Sequence, residues 1–351
     1  MPAITSGKAL VTGANGFVAV WVVQDLLEHG FAVRGTVRSE SKATYLHDRF
    51  KAYGDKFEVV IVPDMAVEGA FDEAVEGIDA ILHIASPVTA DVDDPDDLIL
   101  PAVNGTESVL QSALKHRATV KRVLYMSSCA AVYNPPPPGH ASFTRVLDET
   151  VWNEYSPALV REKGRDAPGL EKYRASKTLA ERAAWELYET EQAKGNLGWD
   201  LVTLLAPLVF GPIIHEAPTL ERFGGTPRMW YNNVVKGALQ GEALTKYGYV
   251  AEWVDVRDLA RAHVLGLTSP EVGGQRFIIR GGPYLWQQFV DVARRYAEQI
   301  PAGDPSYKPE NAVYMSRYTS EKSKKVLGLE YRTLEEMTKD IIEDLRSRGW
   351  L

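Results

Sequence analysis

A tyrosine and a lysine four residues apart could carry proton-transfer chemistry. Tyr173 and Lys177 belong to the segment YRASK, and a spacing of four places two side chains on one face of a helix. A phenol ordinarily titrates near pH ~10, and a neighbouring ammonium group stabilises its anion. We therefore expect Lys177 to lower the pKa of Tyr173. The tyrosine could then donate a proton to a carbonyl oxygen during a reduction, or accept one in reverse.

A serine at the end of a strand would complete this chemistry with a hydrogen bond to the same oxygen. The segment YMSS ends a predicted strand with Ser127 and Ser128, and the residues alone do not distinguish the two. A second pair at the same spacing, Tyr318 and Lys322, has no serine-bearing strand before it, and we interpret it as a surface pair. The order of the motifs along the chain therefore favours Tyr173.

The segment TGANGFVA, which begins at Thr12, is typical of a loop that binds a dinucleotide. It lies between a predicted strand and a predicted helix, where Gly13 allows a tight turn and Gly16 lets the backbone approach a pyrophosphate. The N–H groups at the start of the helix would face this anion. Ala19 stands where the fingerprint has a third glycine, whose role is close packing of helix and strand.

The residues after the second predicted strand indicate NADP(H) as the cofactor. NAD sites usually carry an acidic residue here for the ribose hydroxyls. In this chain the strand is followed by Arg38, with Lys42 four residues later. An arginine fork suits a 2′-phosphate, and Lys42 would add a second cation. Asp64, just after the third strand, is a candidate acceptor for the adenine amino group.

Alternating strand and helix patterns must position these residues. Strands are predicted at Ala9–Thr12, Ala32–Val37, Glu58–Val62, Ala80–Ala85, Arg122–Met126 and Leu201–Leu205. Most are nearly continuous apolar runs, which are typical of strands covered on both faces. Helical patterns lie between them, such as the one at Phe17–His29. The alternation predicts an α/β fold with a Rossmann-type, doubly wound parallel sheet.

The pattern changes after Pro207. Residues 211–249 are rich in glycine, proline and aromatic residues and show no regular strand–helix alternation. Further elements are predicted beyond them: a helix at Val256–Leu267, a strand at Arg276–Ile279, and helices near Trp286–Tyr296 and Thr333–Arg348. We predict an NADP-binding domain over residues 1–210, completed by about 251–280, and a smaller C-terminal substrate lobe formed by 211–250 and 281–351.

Composition and charge exclude several classes of protein. With 351 residues, of which 45% are hydrophobic and 25% charged, the chain can bury a large core. The net charge of −8 argues against a nucleic-acid surface, and the longest apolar run is too short to span a membrane. The start has no apolar leader and Cys129 is the single cysteine, so we expect a cytoplasmic protein without disulfides. The seven histidines lack paired ligand spacing, and no metal site is predicted.

Taken together, these motifs resemble the extended short-chain dehydrogenase/reductases. The resemblance is strongest to the dihydroflavonol-reductase-like branch, which includes fungal NADPH-dependent aldehyde and carbonyl reductases. It covers nearly the whole chain and rests on the segments LVTGANGFVA, VRGTVR, HIAS, YMSS, YRASK, PLVFGP and WVDVRDLARAH. It implies a reductase of ketones or aldehydes in which Ser128, and not Ser127, is the catalytic serine beside Tyr173 and Lys177.

The resemblance also implies a cofactor site. The backbone of Pro207–Val209 would hold the nicotinamide amide, Ala85 would line a ribose, and Arg38 would bind the 2′-phosphate. The full set of predicted cofactor-binding residues is Thr12, Gly13, Asn15, Gly16, Phe17, Val18, Arg38, Lys42, Asp64, Met65, Ile84, Ala85, Ser86, Ser127, Tyr173, Lys177, Pro207, Leu208 and Val209. Many family members carry an asparagine where this chain has Ala102. Asn104 lies two residues on, and we interpret it as an ordinary helix residue.

The expected substrate is a small carbonyl compound, bound between the strand ends and the C-terminal lobe of a monomer or homodimer. The candidate pocket residues are Val88, Tyr133, the loop Pro135–His140, Ile213, Trp230 and Tyr231, each of which could equally serve packing. Two alternatives remain open. A nucleotide-sugar epimerase or dehydratase of this fold would retain NAD tightly, which Arg38 disfavours. A non-catalytic NADP-binding sensor would have no need of the serine, tyrosine and lysine.

Overall fold

The computed structural model describes residues 4–88, 91–135, 145–220, 223–245, 251–304, 306–308, 310 and 316–351. The strands are β1 Lys8–Val11, β2 Ala32–Val37, β3 Phe57–Ile61, β4 Ala80–His83, β5 Arg122–Ser128, β6 Arg145–Leu147, β7 Asp200–Ala206, β8 Leu208–Phe210, β9 Glu252–Asp255, β10 Gln275–Ile278, β11 Gly282–Pro283 and β12 Ser316–Tyr318. The helices are α1 Phe17–Glu28, α2 Glu40–Phe50, α3 Asp72–Val75, α4 Asp96–Lys115, α5 Tyr155–Lys163, α6 Gly169–Ala193, α7 Gly225–Trp230, α8 Glu242–Thr245, α9 Val256–Thr268, α10 Trp286–Tyr296 and α11 Leu334–Ser347.

A parallel sheet of seven strands, in the order β10–β7–β5–β4–β1–β2–β3, forms the centre of the described structure. The strand order reverses beside β1, as in doubly wound folds. The strands predicted up to Leu205, and the one predicted at Arg276–Ile279, all belong to this sheet, with boundaries within two residues of the predicted ones. The predicted α/β fold is therefore confirmed.

Helices cover both faces of this sheet because successive side chains of a strand point to opposite faces. In β5, Leu124 packs in a cluster with side chains of α1 and α9. Its neighbours Val123 and Tyr125 pack on the other face, against α4 and α6. Helices on both sides bury the sheet, which explains its continuous apolar sequence. No helix in the described ranges is long and apolar enough to cross a membrane.

Short strands outside the main sheet were not predicted from the sequence. Strands β11, β9 and β8 form a three-stranded sheet, and β12 pairs with β6. Within residues 211–249, where no regular pattern was found, the structure places the short helices α7 and α8. Aromatic side chains from these segments, from α10 and from the region of α11 form a hydrophobic cluster of their own, with Phe210, Trp230 and Phe289 buried in it.

A buried ion pair joins the first residues of two central strands. Arg122 of β5 donates from Nε and Nη2 to the two carboxylate oxygens of Asp200 in β7, at 2.6 and 2.9 Å. Its Nη1 donates to the carbonyl oxygens of Gly266, Leu267 and Ser269 at the end of α9. The guanidinium group therefore satisfies both a buried carboxylate and the free carbonyls of a helix end.

Replacing Arg122 with methionine is expected to lower the free energy of unfolding by about 3–5 kcal/mol, because the Asp200 carboxylate would stay buried without its partner. Chemical denaturation measures this change. The matched control is Arg117→Met at an exposed position just after α4, for which a change within about 0.5 kcal/mol is expected. Equal effects of the two substitutions would contradict the account.

Candidate active site

Thr12 ties the glycine-rich loop after β1 to the end of β4. Its Oγ1 accepts hydrogen bonds from the backbone N–H groups of Ile84 and Ala85, at 3.0 and 2.9 Å, and lies 3.0 Å from Nδ1 of His83. Because the hydroxyl oxygen already accepts two hydrogen bonds, the hydroxyl donates its own hydrogen bond to Nδ1 of His83. The imidazole is then neutral with its proton on Nε2, in agreement with burial that lowers its pKa to about 3.

Close backbone approach explains the glycines of this loop. Gly13 has a φ of +64°, and a Cβ there would lie 3.1 Å from the Cβ of Ala85. Gly16 precedes α1 and gives the helix no side-chain cap. The first N–H groups of α1, which include those of Phe17 and Val18, form the positive end of this helix. That end lies at the carboxyl edge of the sheet. A phosphate group fits such a place.

Two cations follow β2, as the sequence predicts. Arg38 is exposed, and no described carboxylate pairs with it. Lys42, on α2, lies 3.8 Å from Oε2 of Glu216, and both side chains are largely exposed. Asp64 is also exposed and caps its own turn by accepting from the N–H of Ala66 at 2.9 Å. Arg38 is therefore the cation at this corner with its donors free for a ligand.

The predicted catalytic residues meet where α6 passes the end of β5. Helix α6 begins at Gly169, so Tyr173 and Lys177 both lie within its first turns. The Lys177 ammonium nitrogen lies 5.7 Å from the centre of the Tyr173 ring. The side chains of Tyr173 and Ser128 lie close enough to interact. The Ser128 Oγ accepts from the N–H of Ala130 at 3.1 Å and donates to the carbonyl oxygen of Ala206 at 3.4 Å.

The electrostatics of these residues differ from the expectation in one respect. Burial raises the pKa of Tyr173, and its interaction with the Ser128 side chain opposes that rise only in part. The pKa of Tyr173 is therefore raised overall, and not lowered as its spacing from Lys177 predicts, because desolvation of the phenolate dominates. Lys177 is itself buried, and desolvation lowers its pKa to about 8. At neutral pH the site thus holds a neutral phenol beside a lysine that is mainly charged.

The two serines of the YMSS segment have different partners. Ser128 is the one that reaches Tyr173. The hydroxyl of Ser127 instead donates to Oε2 of Glu181 at 2.6 Å, inside the interface between β5 and α6. Sequence reasoning placed Ser127 among the cofactor contacts and missed Glu181.

The second tyrosine–lysine pair is not on the surface, which corrects the interpretation made from the sequence. Tyr318 is buried, and its hydroxyl donates to the carbonyl oxygen of Cys129 at 3.0 Å, one residue after Ser128. Lys322 is half-buried and donates to the carbonyl oxygen of Arg276 at 2.9 Å. Through these two bonds the pair connects the C-terminal segment to the end of β5 and to β10. No local pattern marks this role, because it depends on contacts far apart in the chain.

The remaining predicted cofactor residues follow β3, β4 and β7 at the same edge of the sheet. Met65, Ile84, Ala85 and Ser86 are half-buried there. Pro207 and Leu208 are half-buried as well, while the carbonyl oxygen of Val209 accepts from Thr226 at 2.5 Å. Asn15 is half-buried in the loop after β1.

The predicted substrate-pocket residues fall into three groups. Val88 is 78% exposed. Tyr133 is buried under the guanidinium group of Arg174, which lies 3.6 Å from its ring centre. Ile213, Trp230 and Tyr231 are buried side chains of the hydrophobic cluster around α10. Of the loop Pro135–His140, residues 136–140 lie outside the described residues.

Two further residues bear on the catalytic group. Asn104 is exposed on α4, whereas Ala102, at the position of the family's asparagine, is buried. The asparagine side chain therefore lies on the solvent side of the helix, as an ordinary helix residue would. Cys129 is buried, which agrees with a packing role, and burial raises its pKa. Within the described ranges, no group of three or more histidine, cysteine or acidic residues could hold a metal ion.

Similarity to known proteins extends over the whole of this arrangement. Residues 9–279 match the sequence model of the NAD dependent epimerase/dehydratase family. The ketoreductase azaE of Aspergillus niger is 34% identical, with 96% of this chain and 97% of that protein aligned. The NADPH-dependent methylglyoxal reductase GRE2 of Saccharomyces cerevisiae is 31% identical, with 95% and 96% aligned. The crystal structure of the yeast methylglyoxal/isovaleraldehyde reductase Gre2 complexed with NADPH matches with a TM-score of 0.83 at 30% identity, covering 98% of this chain and 100% of that chain.

The sequence match spans most of the chain, and these relatives align over nearly their full length. We conclude that this chain belongs to the NAD dependent epimerase/dehydratase family, the extended short-chain dehydrogenase/reductases.

Proposed function

We propose that this protein is an NADPH-dependent carbonyl reductase that converts a ketone or an aldehyde to an alcohol. The observation that carries the proposal is the meeting of Ser128, Tyr173 and Lys177 next to a loop built for a dinucleotide. Relatives along the full chain are named as a ketoreductase and an NADPH-dependent methylglyoxal reductase, which supports the same reaction class.

The residues of the site divide the chemistry between them. Bound NADPH would supply a hydride to the carbonyl carbon. Ser128 and Tyr173 would hold the carbonyl oxygen by hydrogen bonds, and the Tyr173 phenol would give that oxygen its proton as negative charge develops. The raised pKa keeps this phenol protonated at neutral pH, which suits reduction. Lys177 would stabilise the phenolate that remains until solvent returns the proton.

The cofactor contacts follow from the sheet edge. The loop Thr12–Val18 would bind the pyrophosphate through backbone N–H groups. Arg38, with Lys42 nearby, would bind the 2′-phosphate, since its donors have no described carboxylate partner. Backbone groups of Pro207–Val209 would hold the nicotinamide amide, and Ile84–Ser86 would line the ribose.

The chain would divide into a part that binds the cofactor and a part that binds the substrate. Residues 1–210 with 251–280 would form the cofactor domain, and 211–250 with 281–351 the substrate lobe, a division supported by the separate hydrophobic cluster around α10. Tyr133, close to the end of β5, is the pocket candidate best placed to meet a substrate.

We further propose a cytoplasmic enzyme that is monomeric or homodimeric. The free, buried thiol of Cys129 suits a reducing compartment.

Two alternatives are less well supported. A nucleotide-sugar epimerase or dehydratase would need tightly retained NAD, and Arg38 favours a phosphorylated ribose. A non-catalytic sensor would not require a phenol, a serine and a buried lysine in contact range.

Turnover of carbonyl compounds tests the proposal directly. We expect loss of NADPH absorbance with some member of a panel of aldehydes, α-ketoesters and aryl ketones. The Tyr173→Phe variant should lower kcat by roughly 10²–10⁴-fold, because the proton donor is lost, while its affinity for NADPH stays close to that of the parent protein. Tyr155→Phe, at an exposed tyrosine, is the control and should leave kcat unchanged. Unchanged turnover in Tyr173→Phe would refute the assignment.

The pH dependence of reduction should report on Lys177. Burial lowers its pKa to about 8, and the charged form is the one that stabilises the phenolate. The turnover number should therefore stay level below about pH 8 and fall above it. Tyr173 cannot supply this fall, since burial raises its pKa. A profile that stays level to pH ~10, the ordinary range of a free lysine, would contradict the assignment.

The choice of cofactor should depend on Arg38. Replacing it with leucine removes a charge-assisted contact worth about 1.5–3 kcal/mol, so kcat/KM for NADPH should fall roughly 10–100-fold. The value for NADH should change little. Lys51→Leu, at an exposed lysine beyond α2 that pairs with Asp48, serves as the control. An equal loss with both cofactors would show that Arg38 does not contact the 2′-phosphate.

A further inference from the structure

We infer that Glu181 is a positioning residue for the catalytic group, because its carboxylate holds α6, β5 and β10 together beside Ser128. The inference rests on the proposed function, since it concerns the same site. Glu181 follows Lys177 by one helical turn and Tyr173 by two, so the three side chains share one side of α6. The side chain of Glu181 is fully buried.

Each carboxylate oxygen of Glu181 binds a different strand. Oε2 accepts from the hydroxyl of Ser127 in β5 at 2.6 Å. Oε1 accepts from Nε of Arg276 in β10 at 2.7 Å and from the indole N–H of Trp185 at 3.4 Å. One rigid group therefore fixes the helix that carries Tyr173 against the strand that carries the catalytic serine.

Arg276 is anchored in turn, so the link does not end in a flexible side chain. Its Nη1 donates to the carbonyl oxygens of Glu149 and Val151, at 2.6 and 3.0 Å. Its guanidinium group stacks on Trp152, 3.8 Å from the ring centre. The carboxylate of Glu149 accepts from the N–H of Ile278 at 3.0 Å, within the same strand β10. The network thus extends from the catalytic helix to the edge of the sheet.

Stability alone does not explain a buried ion pair at this place. The free-energy cost of removing two charges from water largely cancels their attraction. Well-packed apolar side chains at the same positions often stabilise a protein equally or more. The contribution of this pair is therefore geometric: it admits one register of α6 against β5. Ser127 is fixed by α6, and Ser128 follows it directly, so the distance from the Ser128 hydroxyl to Tyr173 is set at the same time.

The charge of Glu181 has little direct effect on the catalytic lysine. Its partner Arg276 neutralises it at 2.7 Å, and desolvation accounts for the lowered pKa of Lys177. A positioning role and an electrostatic role thus predict different results. Loss of the carboxylate should reduce kcat without moving the fall in turnover near pH 8.

The test uses Glu181→Gln and Ser127→Ala in the full chain with NADPH and a turned-over carbonyl substrate. Both variants should lower kcat by about 10-fold or more, since small displacements of reacting groups are costly. The Kd for NADPH, measured by fluorescence, should stay near that of the parent, and the pH profile should keep its shape. Glu186→Gln, at an exposed glutamate of α6, and Thr203→Val, at a buried hydroxyl of β7 without a described partner, are the matched controls.

Hydrogen–deuterium exchange gives a readout that does not need activity. Ser127→Ala should speed exchange in Arg122–Ser128 and in the first half of α6, while Thr203→Val should not. Wild-type kcat in folded Glu181→Gln and Ser127→Ala would overturn the inference, as would a displaced pH profile or unchanged exchange. If Glu181→Gln does not fold, Ser127→Ala decides, because it leaves the ion pair intact. Absence of turnover in the parent protein would instead count against the proposed function. The hydrogen–deuterium exchange rates of the variants would still test the positioning role.

Discussion

The packing of α6 against β5 is the constraint on which the site depends. The helix brings a phenol and an ammonium group, the strand brings a serine, and neither element has the chemistry alone. Their contact surface includes apolar side chains such as Ala184 of the helix and Tyr125 of the strand. It also includes the buried hydrogen bond from Ser127 to Glu181. Apolar surfaces tolerate sliding better than hydrogen bonds do, because hydrogen bonds weaken steeply with distance and angle. The polar contacts therefore specify the register that the apolar contacts stabilise.

Other buried polar groups secure the same strand from different directions. Arg122 fixes the start of β5 to β7 and α9, and Tyr318 holds the carbonyl of Cys129 just beyond its end. Glu252 accepts two hydrogen bonds from Arg280 and one from the N–H of Tyr318, and burial raises its pKa to about 7. The strand that ends at Ser128, the proposed catalytic serine, is thus held at both ends by residues distant in the sequence.

The sequence predicted the main sheet, and it singled out the residues that we propose as the catalytic group, because both have local signals. Apolar runs mark buried strands, and spacing along a helix marks Tyr173 and Lys177. Glu181 had a weaker signal that could have been used, namely a carboxylate one turn beyond Lys177 on the same helix face. The sequence carried no comparable signal for the role of Tyr318. The raised pKa of Tyr173 could not be predicted either, since desolvation depends on how the whole chain covers the residue.

Deuterium transfer tests the central claim most directly. NADPH labelled with deuterium at the transferred position of the nicotinamide ring would be consumed with a reducible ketone, and the alcohol examined by NMR. The account predicts deuterium on the carbinol carbon when the label is in the cofactor, and none there when the label is in the water. An alcohol that takes its carbon-bound hydrogen from water would contradict it, as would NADPH bound without any reduction.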